Sequence, residues 1–420
     1  MKDNIFSLKD KATKHKILIQ NFSYISVLQA FNLLLPIVIY PYLIRVLTKE
    51  TFGLVVFAQA IVSYLVILVG FGFNISATRE VSVNRDNKEK LNQIVSSVFI
   101  IKSVLFVLTF IILGGLLIFI PKAHGYESLF LLSMWACFYE VIFPIWYFQG
   151  IERMKYITFI TLVSRLIFAG LIFLLIHSPS DFLFVPIIYG IGALVAGTIS
   201  LIVVFGKHQI KFQWQSFQNI KYYFTDSIPL FISNISTSLY VNTNKVISGA
   251  FLGMEEVAYY DLAEKLTTVL KMPQAILSQS LFPKISREKN LGFIKSVFKF
   301  SLLGNIVFLL LMLVFSKQVI LILGGEQMLP ARPIVNILAL TVPIIAMSNI
   351  FGILMLIPFG FSKVFSRVIL TSGIAYLIQI LFLWATIGFS IISISIVTVT
   401  SEIFVTAYMF YYCKKNRLWN

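Results

Sequence analysis

The feature that most constrains this chain is a succession of long apolar stretches parted by short polar connections. A helix that crosses a bilayer needs roughly 20 apolar residues. Stretches of that kind run at 19–45, 52–73, 95–120, 127–148, 155–177 and 183–206, then at 226–251, 256–283, 295–323, 330–358, 363–387 and 389–413. Each reads as a helix, because only a helix or a closed barrel satisfies its backbone in lipid, and barrel strands would alternate in polarity. With 12% charged residues against the roughly 25% of soluble proteins, and a mean hydropathy of +0.89, a water-soluble fold is excluded. The expectation is an all-α integral membrane protein with about 12 transmembrane helices.

A formal charge of +16 would suit a nucleic-acid binder, but its distribution argues otherwise. Lys and Arg gather in alternate connections: 24 lie on the side that holds both termini, and the other side has only Arg45, Lys49, Lys122 and Arg332. The first side carries Lys2, Lys9, Lys11, Lys14 and Lys16, the 74–94 loop, the 207–225 stretch and the tail Lys414, Lys415 and Arg417. That asymmetry predicts cytoplasmic termini and no role for nucleic acid. The N-terminal 18 residues lack the apolar core of a cleavable signal, so the first span directs insertion. Outer connections of about ten residues leave no room for a catalytic domain on that face. Cys137 in a span and Cys413 beside the basic tail read as two separate thiols.

The chain repeats itself. LTKETFGLVVFAQA from Leu47 aligns with LGMEEVAYYDLAEK from Leu252, matching Glu50 to Glu255, Phe52 to Val257, Gly53 to Ala258 and Ala58 to Ala263. Each copy falls at the outer hairpin after the first helix of a half. An offset of six helices implies two halves of the same orientation, 1–206 and 226–420, joined by a cytoplasmic linker at 207–225.

Charges inside spans cost about 2.5–3.5 kcal/mol each on insertion scales, so they face protein or water. The spans hold Lys102, Arg165, Lys245, Lys265, Lys271 and Lys317 with Glu140, Asp261, Glu264 and Glu402. At 100° per residue, Asp261, Glu264, Lys265, Thr268, Lys271 and Gln279 fall on one arc of the eighth span. Asp261 and Lys265 have the spacing of an i, i+4 ion pair, which leaves Lys271 less compensated near the midplane. Pro273, just beyond it, can kink the helix. Asp226, Ser233, Thr237 and Asn244 make a second polar line on the seventh span; the small polar ones also suit plain helix packing.

The six cations, Arg165, Lys245, Lys265, Lys271, Lys102 and Lys317, would offer a phosphate partners at every depth, Arg in bidentate fashion and Lys as a point charge. Lys102 and Lys317 suit snorkelling to the interfaces equally well. Asp261, Glu264, Glu140 and Asp226 are candidates for coupling to protons or sodium, or act as structural counter-ions. His15, His124, His177 and His208 have no metal-ligand spacing. The chain has no GxxxxGK[ST] motif to bind ATP phosphates, and no cofactor is expected.

NFSYISVLQAFNLLLPIVIYPYLIRVLTKETFGLVVFAQAI (Asn21 to Ile61) and GFGFNISATREVSVNRDNKEKLNQIVSSV (Gly70 to Val98) resemble bacterial polysaccharide flippases, the oligosaccharidyl-lipid branch of the multidrug/oligosaccharidyl-lipid/polysaccharide exporter superfamily. The helix layout agrees along nearly the whole chain, although the four cations Arg165, Lys245, Lys265 and Lys271 match no strict family motif. The resemblance implies a MATE-like, V-shaped pair of six-helix lobes in the inner membrane. It also implies alternating access and export of undecaprenyl-pyrophosphate-linked oligosaccharide for O-antigen or capsule. Membrane lipids and other polysaccharide-assembly membrane proteins would be its partners. The competing readings are a cation or multidrug antiporter of the same fold, favoured by an acidic, aromatic pocket, and a glycan polymerase or ligase, which would need an outer catalytic loop.

Overall fold

The computed structural model describes residues 2–120 and 123–419, with no side-chain description at 2–19, 22, 33, 236, 237 and 239–241. Lys122, the N-terminal lysine side chains, His15 and Thr237 therefore lie outside the described set. The described chain is helical almost throughout, with no strand among the described residues. It forms two compact units.

The first unit takes residues up to Tyr42 and Val62–Asn234. It contains the two ends of α1 (Lys2–Gly70), then α2 (Phe73–Val83), α3 (Lys88–Phe119), α4 (Glu127–Ser133), α5 (Trp135–Ile142), α6 (Ile145–Gly150), α7 (Met154–Leu175) and α8 (Phe184–Leu201), and α9 (Phe217–Ile247) as far as Asn234. The chain breaks between α1 and α2 because Phe71 and Gly72 adopt φ of 42° and 79°. At Gly72 a Cβ would stand 2.7 Å from the Leu230 Cβ, so glycine serves both the turn and the close approach of α9. Gly190 and Gly197 on α8 lie against Trp135 and Ile142 of α5 in the same way. Small residues let helices meet where lipid supplies no hydrophobic drive between them. The core of this unit is aromatic, built on Trp146, Tyr147, Phe148, Phe143 and Phe73.

The second unit holds Leu43–Ile61 and Ile235–Asn420. After α9 come α10 (Met254–Glu288), α11 (Leu291–Gly324), α12 (Arg332–Ala339), α13 (Thr341–Asn349), α14 (Ser362–Thr386) and α15 (Ile391–Lys415). The middle of α1, although early in the sequence, belongs here and turns at Thr48. The two repeat copies meet in this unit: Gly53 packs onto Met254 and Ala258, and Lys49 pairs with Glu255 at 2.7 Å. Ile285, Ile350, Leu354, Val368 and Met409 make its inner core.

Among the described residues nine stretches are long and apolar enough to cross a membrane, one of them the 61-residue Ser23–Val83. Helices α9 and α10 are not in that set. At 31 and 35 residues they have the length, and their polar stripes lower the hydropathy.

Candidate functional site: a charged cavity in the second unit

Helix α10 supplies the charged face. It follows Gly253, with Glu255 and Glu256 in its first turn, where carboxylates suit the positive end of the helix dipole. It continues through Pro273 and Pro283. Proline cannot donate to the carbonyl four residues back, so the turn around Val269 to Pro273, which carries Lys271, is loosened.

A cavity of about 340 Å³ opens beside this turn, lined by Glu264, Thr267, Thr268 and Lys271 of α10, Asn349 of α13, and Thr398 and Glu402 of α15. Asn349 leads into a π-helical segment, Ile350–Leu356, a wide turn of the sort often found at functional sites. Lys271 makes no hydrogen bond or close ion pair among the described residues; Glu402 and Glu264 act on it electrostatically across the cavity.

Behind the cavity lies a packed polar layer. Lys245 of α9 donates to Glu264 Oε2 at 2.7 Å and approaches Asp261 Oδ1 at 3.5 Å. The cation that reaches Asp261 in this layer thus comes from a neighbouring helix, which the i, i+4 spacing of Lys265 did not suggest. Asp261 Oδ2 is buried with no hydrogen-bond partner among the described atoms. Next to it, Asn244 Nδ2 donates to Tyr260 Oη at 2.6 Å and to Thr398 Oγ1 at 2.8 Å, and Tyr376 Oη donates to Asn244 Oδ1 at 2.6 Å. One amide thereby ties α9, α10, α14 and α15 together.

The other sequence candidates fall elsewhere. In the first unit Lys102 is 1% exposed and donates to Glu140 Oε1 at 2.8 Å and to the Glu140 carbonyl at 2.9 Å. It is therefore paired inside the unit and does not snorkel. Arg165 on α7 makes no hydrogen bond or ion pair among the described residues and acts electrostatically on Tyr139 and Tyr189. Asp226 accepts from a single Arg79 nitrogen, Nη2, through both carboxylate oxygens, at 2.9 and 2.8 Å. In the second unit Lys265 and Lys317 are exposed. Of the six cations, Lys102 and Lys245 are neutralised by carboxylates, and Lys271 is the one that lines the cavity. Outside the spans, burial beside Tyr147 pushes the His208 imidazole below its ordinary range, as do the neighbouring Lys207 and Arg153.

A family model described as "Polysaccharide biosynthesis protein" matches residues 18–289. The chain belongs to the polysaccharide biosynthesis protein family. The family match covers Lys102, Arg165, Lys245 and Lys271 and ends before Lys317 and Glu402. A curated relative from Escherichia coli (strain K12), named as a candidate O-antigen transporter, is 30% identical over 95% of this chain and 97% of its own length. A similarly named protein of Shigella dysenteriae is 26% identical over 86% of this chain and 91% of its own. Among solved structures, the lipid II flippase MurJ in an inward closed conformation superposes with a TM-score of 0.75 at 14% identity, covering 93% of this chain and 87% of MurJ. An inward-facing multidrug resistance MATE family transporter gives 0.72 at 14% identity, with 91% and 95% covered. This member of the polysaccharide biosynthesis protein family is thus an all-α, multi-pass membrane protein with the MATE-like fold.

The sequence stripe on α10 pointed at Glu264, Thr268 and Lys271. It gave no sign of Glu402, Asn349, Thr398 or Tyr260. Glu402 had one available signal, a carboxylate in the middle of an apolar span.

Proposed function

We propose that this protein is a flippase that moves an anionic, undecaprenyl-pyrophosphate-linked oligosaccharide across the inner membrane for surface polysaccharide assembly. It is a transporter and performs no covalent chemistry. The observation that carries the reading is Lys271, a cation without a close partner that lines a cavity within the membrane. An ammonium held there gains far more from a phosphate than it would in water, because the surroundings screen it less. Arg165 offers the corresponding cation in the first unit, and its planar fork suits a diphosphate. The names of the curated relatives support the cargo class.

The proposal includes twelve crossings, alternating access between the halves 1–206 and 226–420 about the 207–225 linker, and both termini in the cytoplasm. The repeat and the 24-to-4 cation asymmetry support that arrangement. Coupling to a proton or sodium gradient would fall on Asp261 and Glu264, because the buried Asp261 Oδ2 lacks a partner. Glu140 and Asp226 are already held by Lys102 and Arg79.

A second reading, a cation antiporter, draws on the carboxylates: Glu264 and Glu402 line the same cavity as Lys271. The test is complementation of a strain that lacks the gene. Lys271→Ala and Arg165→Ala should each abolish surface polysaccharide while the protein stays at normal abundance in the membrane. Normal polysaccharide in both variants refutes the anionic-cargo reading. Loss of drug resistance in Glu402→Gln with polysaccharide intact supports the antiporter.

A further inference from the structure

The first unit carries a second, unrelated cleft of about 560 Å³, within the roughly 300–1,000 Å³ typical of small-molecule sites. It lies between the first turns of α3 and the segment 208–219, on the side that the cation count assigns to the cytoplasm. The segment is irregular up to α9 but firmly fixed: Lys211 N donates to Asn92 Oδ1 at 2.8 Å, Gln213 N to Ser96 Oγ at 2.9 Å, and Lys88 Nζ to Gln209 Oε1 at 3.1 Å.

This scaffold presents Trp214 at the edge of the cleft, 85% exposed, its ring meeting Phe212 edge-on at 5.7 Å. Around the indole stand side-chain amides with unused capacity. The Gln213 amide neither donates nor accepts a hydrogen bond among the described residues. Gln93 accepts from Lys90 through Oε1 and keeps its NH₂ free, and Asn87 uses only Oδ1, to cap α3. Asn219 donates to Gln215 and leaves Oδ1 open.

We propose that this cleft is a carbohydrate subsite, where the glycan of the cargo rests against Trp214 before translocation; the identity of the glycan rests on the function proposed above. A sugar ring has one apolar C–H face that suits an exposed indole, and neighbouring hydroxyls that each need a donor and an acceptor, as a primary amide supplies. Contact of Trp214 with the bilayer interface is the rival. It is disfavoured because pressing the indole into lipid would carry the free amides of Gln213 and Gln93 toward a medium that cannot hydrogen-bond them.

The test uses full-length protein labelled with 5-fluorotryptophan in nanodiscs of phosphatidylethanolamine and phosphatidylglycerol. The chain has 5 tryptophans, and Trp214→Phe assigns the relevant ¹⁹F resonance. The probe is the repeat-unit oligosaccharide freed by mild acid from the producing strain's own polysaccharide. It should shift the Trp214 signal saturably, with millimolar affinity, and leave the other four unmoved. In Gln93→Ala/Gln213→Ala the same titration should be roughly tenfold weaker, the effect of losing about one hydrogen bond. The other four resonances report whether that variant is folded, and Gln213→Ala alone serves as the second variant if it is not, with weakening in the same direction expected. A Trp214 signal that ignores the oligosaccharide, responds equally in both proteins, or is broadened only by head-group spin-labelled lipid overturns the proposal. Failure of the flippase reading is seen separately, as polysaccharide that persists in the strain lacking the gene.

Discussion

The Lys102–Glu140 pair allows the sharpest test of how this chain tolerates charge inside a bilayer. Lys102 is 1% exposed and the Glu140 side chain 14%, so both desolvation penalties have been incurred and are offset by one 2.8 Å contact and one carbonyl. Glu140→Leu strands the ammonium, which costs about 3–5 kcal/mol for a buried pair losing one partner. At roughly 2–4 °C per kcal/mol for a unit of this size, the apparent melting temperature should fall by about 6–20 °C. Lys102→Met/Glu140→Leu removes both charges at similar volume and should melt within a few degrees of the wild type or above it. The assay is a fluorescence melt of the purified protein in one detergent, run beside polysaccharide complementation. A Glu140→Leu protein that melts with the wild type, or a double variant as unstable as the single, refutes the argument. A stable double variant that still exports places the pair in the architecture, whereas a stable but silent one places it in transport.

At the contact between the repeat copies, a methyl on Gly53 would lie 1.7 Å from the Met254 carbonyl oxygen, and backbone there cannot step aside cheaply. Gly53→Ala should therefore cost about 1–3 kcal/mol or more, read as a lower monodisperse yield in size-exclusion chromatography, while Gly114→Ala, with nothing within 4 Å, should not. Because the folded value of His208 is depressed, its neutral form contributes stability that is complete above about pH 6.5 and lost as pH falls through the folded value. His208→Asn should flatten that slope in melts taken between pH 7.5 and pH 5; an unchanged slope refutes the assignment.

The helices and the polar face of α10 were legible because both are periodic and local. The partners of that face were not. Lys245 lies 19 residues from Glu264, and Tyr376 lies 132 from Asn244, so nothing in a linear pattern joins them. The spacing of Asp261 and Lys265 pointed to a partner within one turn and could not show that a cation from α9 also reaches Asp261, because helix packing sets which groups share a dry layer. The repeat at Leu47 and Leu252 was visible as sequence, yet the meeting of its two copies in one compact unit depends on where α1 turns at Thr48.

Lys271 shares its cavity with Glu264 and Glu402. On the function proposed above, a phosphate that docks on the ammonium does so in the field of these two carboxylates, which repel it. That repulsion keeps the well shallow, so the bound anion is held less tightly than a lone buried ammonium would hold it. A carrier gains speed from such a site, since its turnover depends on letting go as readily as on taking hold, and a deeper cationic trap would turn the carrier into a receptor.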